Sequence, residues 1–283
     1  MVYISFITSV KICKGYEELL QKVHTYIQNI EHFCNKLNIS YEILICEQVD
    51  YKNIQMIDIS YVNTKVIKLR QKYPNPFDFN MIESYGKNEC LKVAKGIYCC
   101  MTSADVIFSE NFFHFIKDKL AEETFYRFAT FEIDFFDAKN NSVREVIRLC
   151  ENDKTKTLCN PGCFEPPLDF AKLGQKSGDI MVLDTESFRK IRGWPQTECY
   201  HHMDTVVCMV ASNVYNIMVP PENVCIYTMR QTRTGSGDYN SRKAPPWAVK
   251  WMYSVKPDLD RELTLNTYQW LRALQYMNNT TCN

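Results

Sequence analysis

The chain has 283 residues, 46% of them hydrophobic and 13% aromatic, enough for a sizeable core and unlike a disordered or fibrous protein. Lys plus Arg and Asp plus Glu each number 33, giving a formal net charge of +0, so no overall charge draws the chain to nucleic acid or an anionic membrane, and any anion site must be built locally. The longest apolar runs, such as Ile4 to Val10 and Ile217 to Pro221, fall far short of the roughly 20 residues that cross a bilayer, and the opening residues carry no secretory pattern, so a cytoplasmic protein is expected.

Ile4 to Val10 is a continuous apolar and β-branched run, the pattern of a strand buried on both faces. After Gly15, the residues Leu19, Leu20, Val23, Tyr26, Ile27, Ile30, Phe33 and Leu37 recur at three- and four-residue spacing and make one apolar helical face. Tyr41 to Cys46 is a second buried strand, and strand, helix, strand reads as a parallel crossover. The pattern returns as a strand at Val66 to Leu69, a helix from Asn80 to Ala94 and a strand at Ile97 to Met101. Ligands of such sheets bind beyond the carboxyl ends of the strands, here Thr8 to Lys11, Glu47 to Val49 and Thr102 to Asp105.

The second half is less regular. Phe125 to Asp134 and Ser142 to Leu149 read as strands of a hairpin around the polar turn Asp137 to Asn141. Cys159 to Pro167 is a Pro/Gly loop, Ile180 to Leu183 a short strand, and Thr185 to Ile191 a short helix with Thr185 as its N-cap. A helix follows from His202 to Ser212, and Thr228 to Pro246 is loop chemistry, with Gly235, Gly237 and two consecutive prolines. Leu263 to Met277 forms a last amphipathic helix, with Leu265, Tyr268, Leu271, Leu274 and Met277 on one face. Nothing repeats, so one domain is expected.

The 13 cysteines are odd in number, and Cys46, Cys99, Cys100, Cys208 and Cys225 sit in apolar stretches, so reduced, buried thiols are expected. Cys159 and Cys163, with Cys199, His201 and His202 further on, form the tightest cluster. Zinc needs four ligands in tetrahedral reach, and a Cys-x3-Cys pair alone is a weak signal for it.

Polar chemistry concentrates between Gly86 and Asp105, where a helix carrying Lys87 and Asn88, a tight turn at Gly96 and a buried strand end at Thr102-Ser103-Ala104-Asp105. A carboxylate there faces the ligand crevice, although spacing alone favours an aspartate that caps a helix beginning near Glu110. The segment resembles the signature of GT-A-fold glycosyltransferases of the family 2 type, in which an Asn-containing helix and an Ala-x-Gly turn precede a strand ending in an Asp-x-Asp motif. The likeness extends to a branch found in bacteria and large DNA viruses and covers most of Val2 to Asn240. Four blocks carry it: Ser5-Phe6-Ile7-Thr8-Ser9, Ile43-Leu44-Ile45-Cys46-Glu47, Lys87-Asn88 through Phe108, and Ser177-Gly178-Asp179 through Asp204.

The resemblance implies an α/β GT-A fold, with a mainly parallel central sheet flanked by helices, a small antiparallel part and a C-terminal helix. It implies one catalytic domain over residues 1–283, with a nucleotide-binding half (1–108), an acceptor-side half (109–246) and a helical extension (247–283). The implied reaction moves a sugar, with inversion, from a nucleotide-diphosphate sugar, UDP-linked as a first guess, to a hydroxyl of a glycan, lipid or protein acceptor. Carried over by position, Thr8, Ser9 and Glu47 line the nucleoside pocket, Lys87 and Asn88 face the nucleotide, and Gly178 and Asp179 lie against the donor. Asp204 is the implied general base, and His202 is its partner or a metal ligand.

Asp105 is the implied anchor of a divalent metal, Mn²⁺ or Mg²⁺. Ser103 stands where the motif has its first carboxylate, and Thr228 where related chains carry a histidine. Arg230, Arg233 and Gly235-Ser-Gly237 follow at once, a donor-rich stretch suited to a diphosphate and able to replace part of the metal's charge. Two other readings stay open. The lost first aspartate suits a catalytically inactive module that binds a sugar nucleotide or glycan; a nucleotidyltransferase would need a Gly-rich basic loop after the first strand, where Lys11 to Gly15 offers two lysines and one glycine.

Overall fold

The structure is a computed structural model and describes residues 1–10, 17–49, 59–70, 83–133, 142–154, 156–160, 180–191, 193–194, 207–208, 211 and 214–229. In chain order these form β1 (Ile4–Val10), α1 (Glu17–Leu37), β2 (Tyr41–Val49), β3 (Thr64–Arg70), α2 (Glu83–Val93), β4 (Tyr98–Thr102), β5 (Val106–Phe108) and α3 (Glu110–Lys119). Then come β6 (Thr124–Arg127), β7 (Ala129–Ile133), α4 (Val143–Asn152), β8 (Thr157–Asn160), β9 (Ile180–Asp184), α5 (Thr185–Lys190), β10 (Asn216–Met218) and β11 (Cys225–Met229). A seven-stranded sheet has the order β10-β6-β9-β4-β1-β2-β3, and a four-stranded sheet the order β5-β11-β7-β8. In the large sheet β1 runs parallel to β2 and β4, β2 to β3, and β10 to β6, while β9 is antiparallel to β4 and β6. This is the mainly parallel, helix-flanked architecture expected; the helix expected at Leu263 to Met277 lies outside the described residues.

Every residue of β1 and β4 is buried, because helices cover both faces of the sheet and leave no side for polar residues. Side chains alternate across the two layers. Ile4, Phe6 and Val10, Ile43 and Ile45, and Tyr98 and Cys100 join a core with residues of α1, α3, α4 and the second sheet. Ile7, Leu44, Cys46, Cys99 and Met101 join the other, with Cys90 and Leu91 of α2 and Phe188 of α5. Aromatic rings tie the first layer together: Phe33 stacks on Phe113 at 4.9 Å, and Phe6 meets Phe108 edge-on at 5.5 Å.

Among the described residues, Cys34, Cys46, Cys90, Cys99, Cys100, Cys150, Cys208 and Cys225 are buried and unbridged. Burial pushes the thiols of Cys46 and Cys99 up to about 12, so they stay protonated at neutral pH. No described helix is long and apolar enough to cross a membrane.

The hairpin expected in the second half does not form. Ser142 to Leu149 opens α4 instead of a strand: Ser142 is the N-cap, accepting the Glu145 N–H at 3.3 Å, and Val146, Ile147 and Cys150 are its buried stripe. A Ser-x-x-Glu start and three- and four-residue spacing override the β-branched content. Phe125 to Asp134 is also not one strand. It breaks at Phe128, so β6 stays beside β9 in the large sheet while β7 pairs with β11 and β8 in the small one.

The expected cap of α5 shifts by one residue. Asp184 is the N-cap, its carboxylate accepting the N–H of Ser187 and of Glu123, each at 2.8 Å. Thr185 begins the helix and donates its hydroxyl to the Gly96 carbonyl at 2.5 Å, holding α5 to the turn before β4.

Candidate functional site

The chain leaves β1 for β2 and β3 on one side and returns to β4 on the other. Strand order therefore reverses between β1 and β4, the place where open α/β sheets form a binding crevice at their carboxyl ends. Register sets Thr8 opposite Ile45, Ser9 opposite Cys46 and Val10 opposite Glu47, and Ile7 opposite Met101 on the other flank. Thr8, Ser9, Glu47, Thr102 and Ser103 thus reach one edge.

Alternation divides these residues between the faces. Thr8 shares the face of Phe6 and Val10, and Glu47 that of Ile43 and Ile45, so both lie on the layer of α1 and the second sheet. Each is 0% exposed, and the Thr8 Oγ1 has no hydrogen-bond partner. A buried hydroxyl left in that state costs about 1–3 kcal/mol, a deficit that a ligand with a matching polar group removes. Ser9 turns to the other layer, accepting from Gln48 Nε2 at 3.1 Å and donating to the Cys46 carbonyl at 3.4 Å. A Cβ on Gly86 would lie 2.0 Å from Ser9 Oγ, so only glycine lets α2 rest on this strand end.

Lys87 and Asn88 gather around Trp194. The Lys87 ammonium, 2% exposed, pairs with Glu83 at 2.5 Å and sits 4.0 Å from the centroid of the Trp194 ring. Asn88 donates Nδ2 to the Trp194 carbonyl at 2.7 Å and accepts the Trp194 N–H on Oδ1 at 2.8 Å. The Trp194 Nε1–H in turn points to Met101 Sδ at 2.9 Å. Neither Gln48 as a partner of Ser9 nor Trp194 as a partner of Asn88 can be read from the sequence, because only the fold makes these proximities.

Asp105 precedes β5 and is half-buried. It does not cap α3: Ser109 does, its hydroxyl accepting from Phe112 and also from the Cys225 N–H, each at 3.2 Å. Next to Asp105, Val106 pairs with Thr228, which pairs with Glu132. Asp105, Thr228 and Glu132 therefore reach the same end of the second sheet, whose Phe108 packs on Phe6 of β1. Glu132 is a half-buried carboxylate that sequence reading passed over, since only strand register brings it there.

Among the described residues, no group of three or more His, Cys, Asp or Glu side chains could hold a metal ion. Asp105, Ser103 and Thr228 offer oxygen donors only, the type that suits Mg²⁺ or Mn²⁺ over zinc. Asp204, His202, Gly178, Asp179, Arg230 and Arg233 lie outside the described residues, as do Cys163, Cys199 and His201. Val207, Cys208 and Ala211 are buried. Arg127, 0% exposed, donates Nη1 to Cys208 Sγ at 2.9 Å.

No protein-family model matches the chain, and no curated protein is similar to it in sequence. Solved structures are similar to it in fold. S. aureus TarS 1-349 in complex with UDP superposes with a TM-score of 0.52 at 12% identity, covering 100% of this chain and 72% of that one. The complex with UDP-GlcNAc gives 0.51 at 12% identity, covering 99% and 73%. The catalytic domain of Drosophila beta1,4galactosyltransferase 7, complexed with xylobiose, matches at 0.38 and 12% identity, too distant to bear on the fold. The alignment to it takes in 78% of this chain and 65% of that one. The chain has the glycosyltransferase fold of the GT-A type: a mixed α/β structure with a mainly parallel central sheet.

Proposed function

We propose that the chain transfers a sugar from a nucleotide-diphosphate sugar to an acceptor hydroxyl. The observation that carries this reading is the crevice where strand order reverses, with the unpartnered Thr8 hydroxyl and the buried Glu47 on one face in a glycosyltransferase fold. The same fold holds UDP and UDP-GlcNAc in the TarS complexes, which favours a UDP-sugar as donor.

In the proposed site Glu47 accepts a base N–H or ribose hydroxyl and Thr8 supplies a second polar contact. Asp105, with the hydroxyls of Ser103 and Thr228 beside it, would hold a divalent cation, whose positive charge offsets that of the departing diphosphate. Arg230 and Arg233 share that task as bidentate donors. Asp204 removes the proton of the acceptor hydroxyl, His202 orients it, and the freed oxygen attacks the anomeric carbon opposite the diphosphate. The new C–O bond forms as the bond to the diphosphate breaks, and the electron pair leaves on the diphosphate.

Asp204→Asn is expected to lower transfer at least about 100-fold, the scale of a lost general base, while nucleotide binding survives. Unchanged turnover overturns the role of Asp204. Tight nucleotide binding by the native chain with neither donor hydrolysis nor transfer across an acceptor panel makes the protein a binding module, the reading that Ser103 motivates.

A further inference from the structure

Three polar groups of α2 converge on one residue that is 106 positions away in sequence. The Asn88 amide grips the main chain of Trp194 from both sides, Oδ1 on its N–H and Nδ2 on its carbonyl. Lys87, neutralised by Glu83, lies against the face of the indole, whose N–H reaches Met101 at the end of β4. The turn that presents Trp194 is built for this grip. Gly193 has φ +70 and donates to the Phe188 carbonyl at 2.8 Å, and a Cβ there would lie 2.4 Å from Asn88 Oδ1. An L side chain at position 193 would meet backbone strain and a clash with the gripping atom together.

With two of its hydrogen-bonding sites used on the main-chain N–H and carbonyl of one residue, and 7% exposed, Asn88 is placed as a main-chain clamp. We infer that Asn88, Gly193 and Trp194 form a latch that fastens the Gly193-Trp194 turn of the acceptor-side half to the nucleotide-side helix α2, and that Asn88 acts as a positioning residue instead of contacting the nucleotide. This rests on the proposed transferase reading. From Trp194 the chain runs on toward Asp204, so the latch sets the point from which the segment with the proposed base begins. Downstream, Cys208 accepts a hydrogen bond from the buried Arg127.

The test compares wild type with Asn88→Ala, Asn88→Asp and Gly193→Ala. Asn88→Asp keeps an acceptor for the Trp194 N–H but sets a carboxylate against its carbonyl; Gly193→Ala breaks the latch from the far side without touching α2. Amide hydrogen exchange at residues 193 and 194, UDP-sugar affinity and turnover are measured in each. The latch predicts faster exchange at Trp194 in all three, affinity within about twofold of wild type, and turnover lower by about tenfold or more, as expected when catalytic groups are misplaced but binding is not.

The inference is overturned if Trp194 keeps its protection, if turnover is unchanged despite lost protection, or if the Asn88 variants lose affinity in step with turnover while Gly193→Ala behaves as wild type. Should the wild-type chain bind no nucleotide, the donor reading falls, and exchange at Trp194 alone decides the latch. If Asn88→Ala does not fold, Asn88→Asp and Gly193→Ala carry the comparison.

Discussion

In the proposed site, Thr8 sets function against stability in one side chain. Its hydroxyl is buried and unpartnered, so Thr8→Val, which keeps the shape and removes the orphan, is predicted to raise stability by up to about 1 kcal/mol. The same change is predicted to weaken nucleotide binding several-fold. A denaturant midpoint and a binding isotherm on one sample check both, and a destabilised variant with normal affinity contradicts the assignment. Gly86 argues the other way. A Cβ there would press into Ser9, so Gly86→Ala is predicted to cost about 1–3 kcal/mol, the usual range for overpacking.

Residues at strand ends were legible in the sequence because a buried strand announces its own terminus: Thr8 and Glu47 follow directly from the apolar runs before them. The turn of Ser9 to the layer opposite Thr8 and Glu47 follows from strand alternation. Partners such as Trp194 for Asn88, or Glu132 near Asp105, were not legible, because each proximity is made by strands and turns far apart in the chain.

At the scale of elements, the strands buried on both faces and the long amphipathic α1 could be read directly, whereas α4 could not be told from a strand by its β-branched residues. Its cap settles the matter physically. Ser142→Ala is predicted to lower stability by about 1 kcal/mol through loss of the bond to the Glu145 N–H, measured by chemical denaturation; a strand start would be indifferent to this change.

The helix α1 carries a pH dependence. Burial holds the His24 imidazole below its ordinary value, and burial, with Arg144 and Lys36 nearby, does the same for His32 against the opposing pull of Glu110. The unfolded chain therefore binds these protons more readily than the folded one. Their contribution is complete above the unfolded value of about 6.5 and is lost as pH falls through the lower folded values. The urea midpoint is predicted to drop between pH 7 and pH 5, and a His24→Gln, His32→Gln double variant to flatten that drop. A midpoint that rises on acidification contradicts the sign.

At the scale of the whole molecule, two packed sheets present separate chemistries, which the proposed site combines. The large sheet delivers Thr8, Glu47 and Ser103 from the carboxyl ends of its parallel strands, and the small one brings Thr228 and Glu132 to the side of Asp105. Net charge of +0 means that any hold on a diphosphate must come from a few local groups.

The most direct test is the melting temperature of the full chain with UDP-, GDP- and dTDP-sugars, each with and without Mn²⁺. A donor that binds only the folded state stabilises it by about 2.7 kcal/mol at a concentration 100 times its Kd. The account predicts a clear upward shift with a UDP-sugar, larger with Mn²⁺ and reduced by Asp105→Ala. No shift with any nucleotide sugar, at millimolar concentration and with Mn²⁺ present, contradicts it.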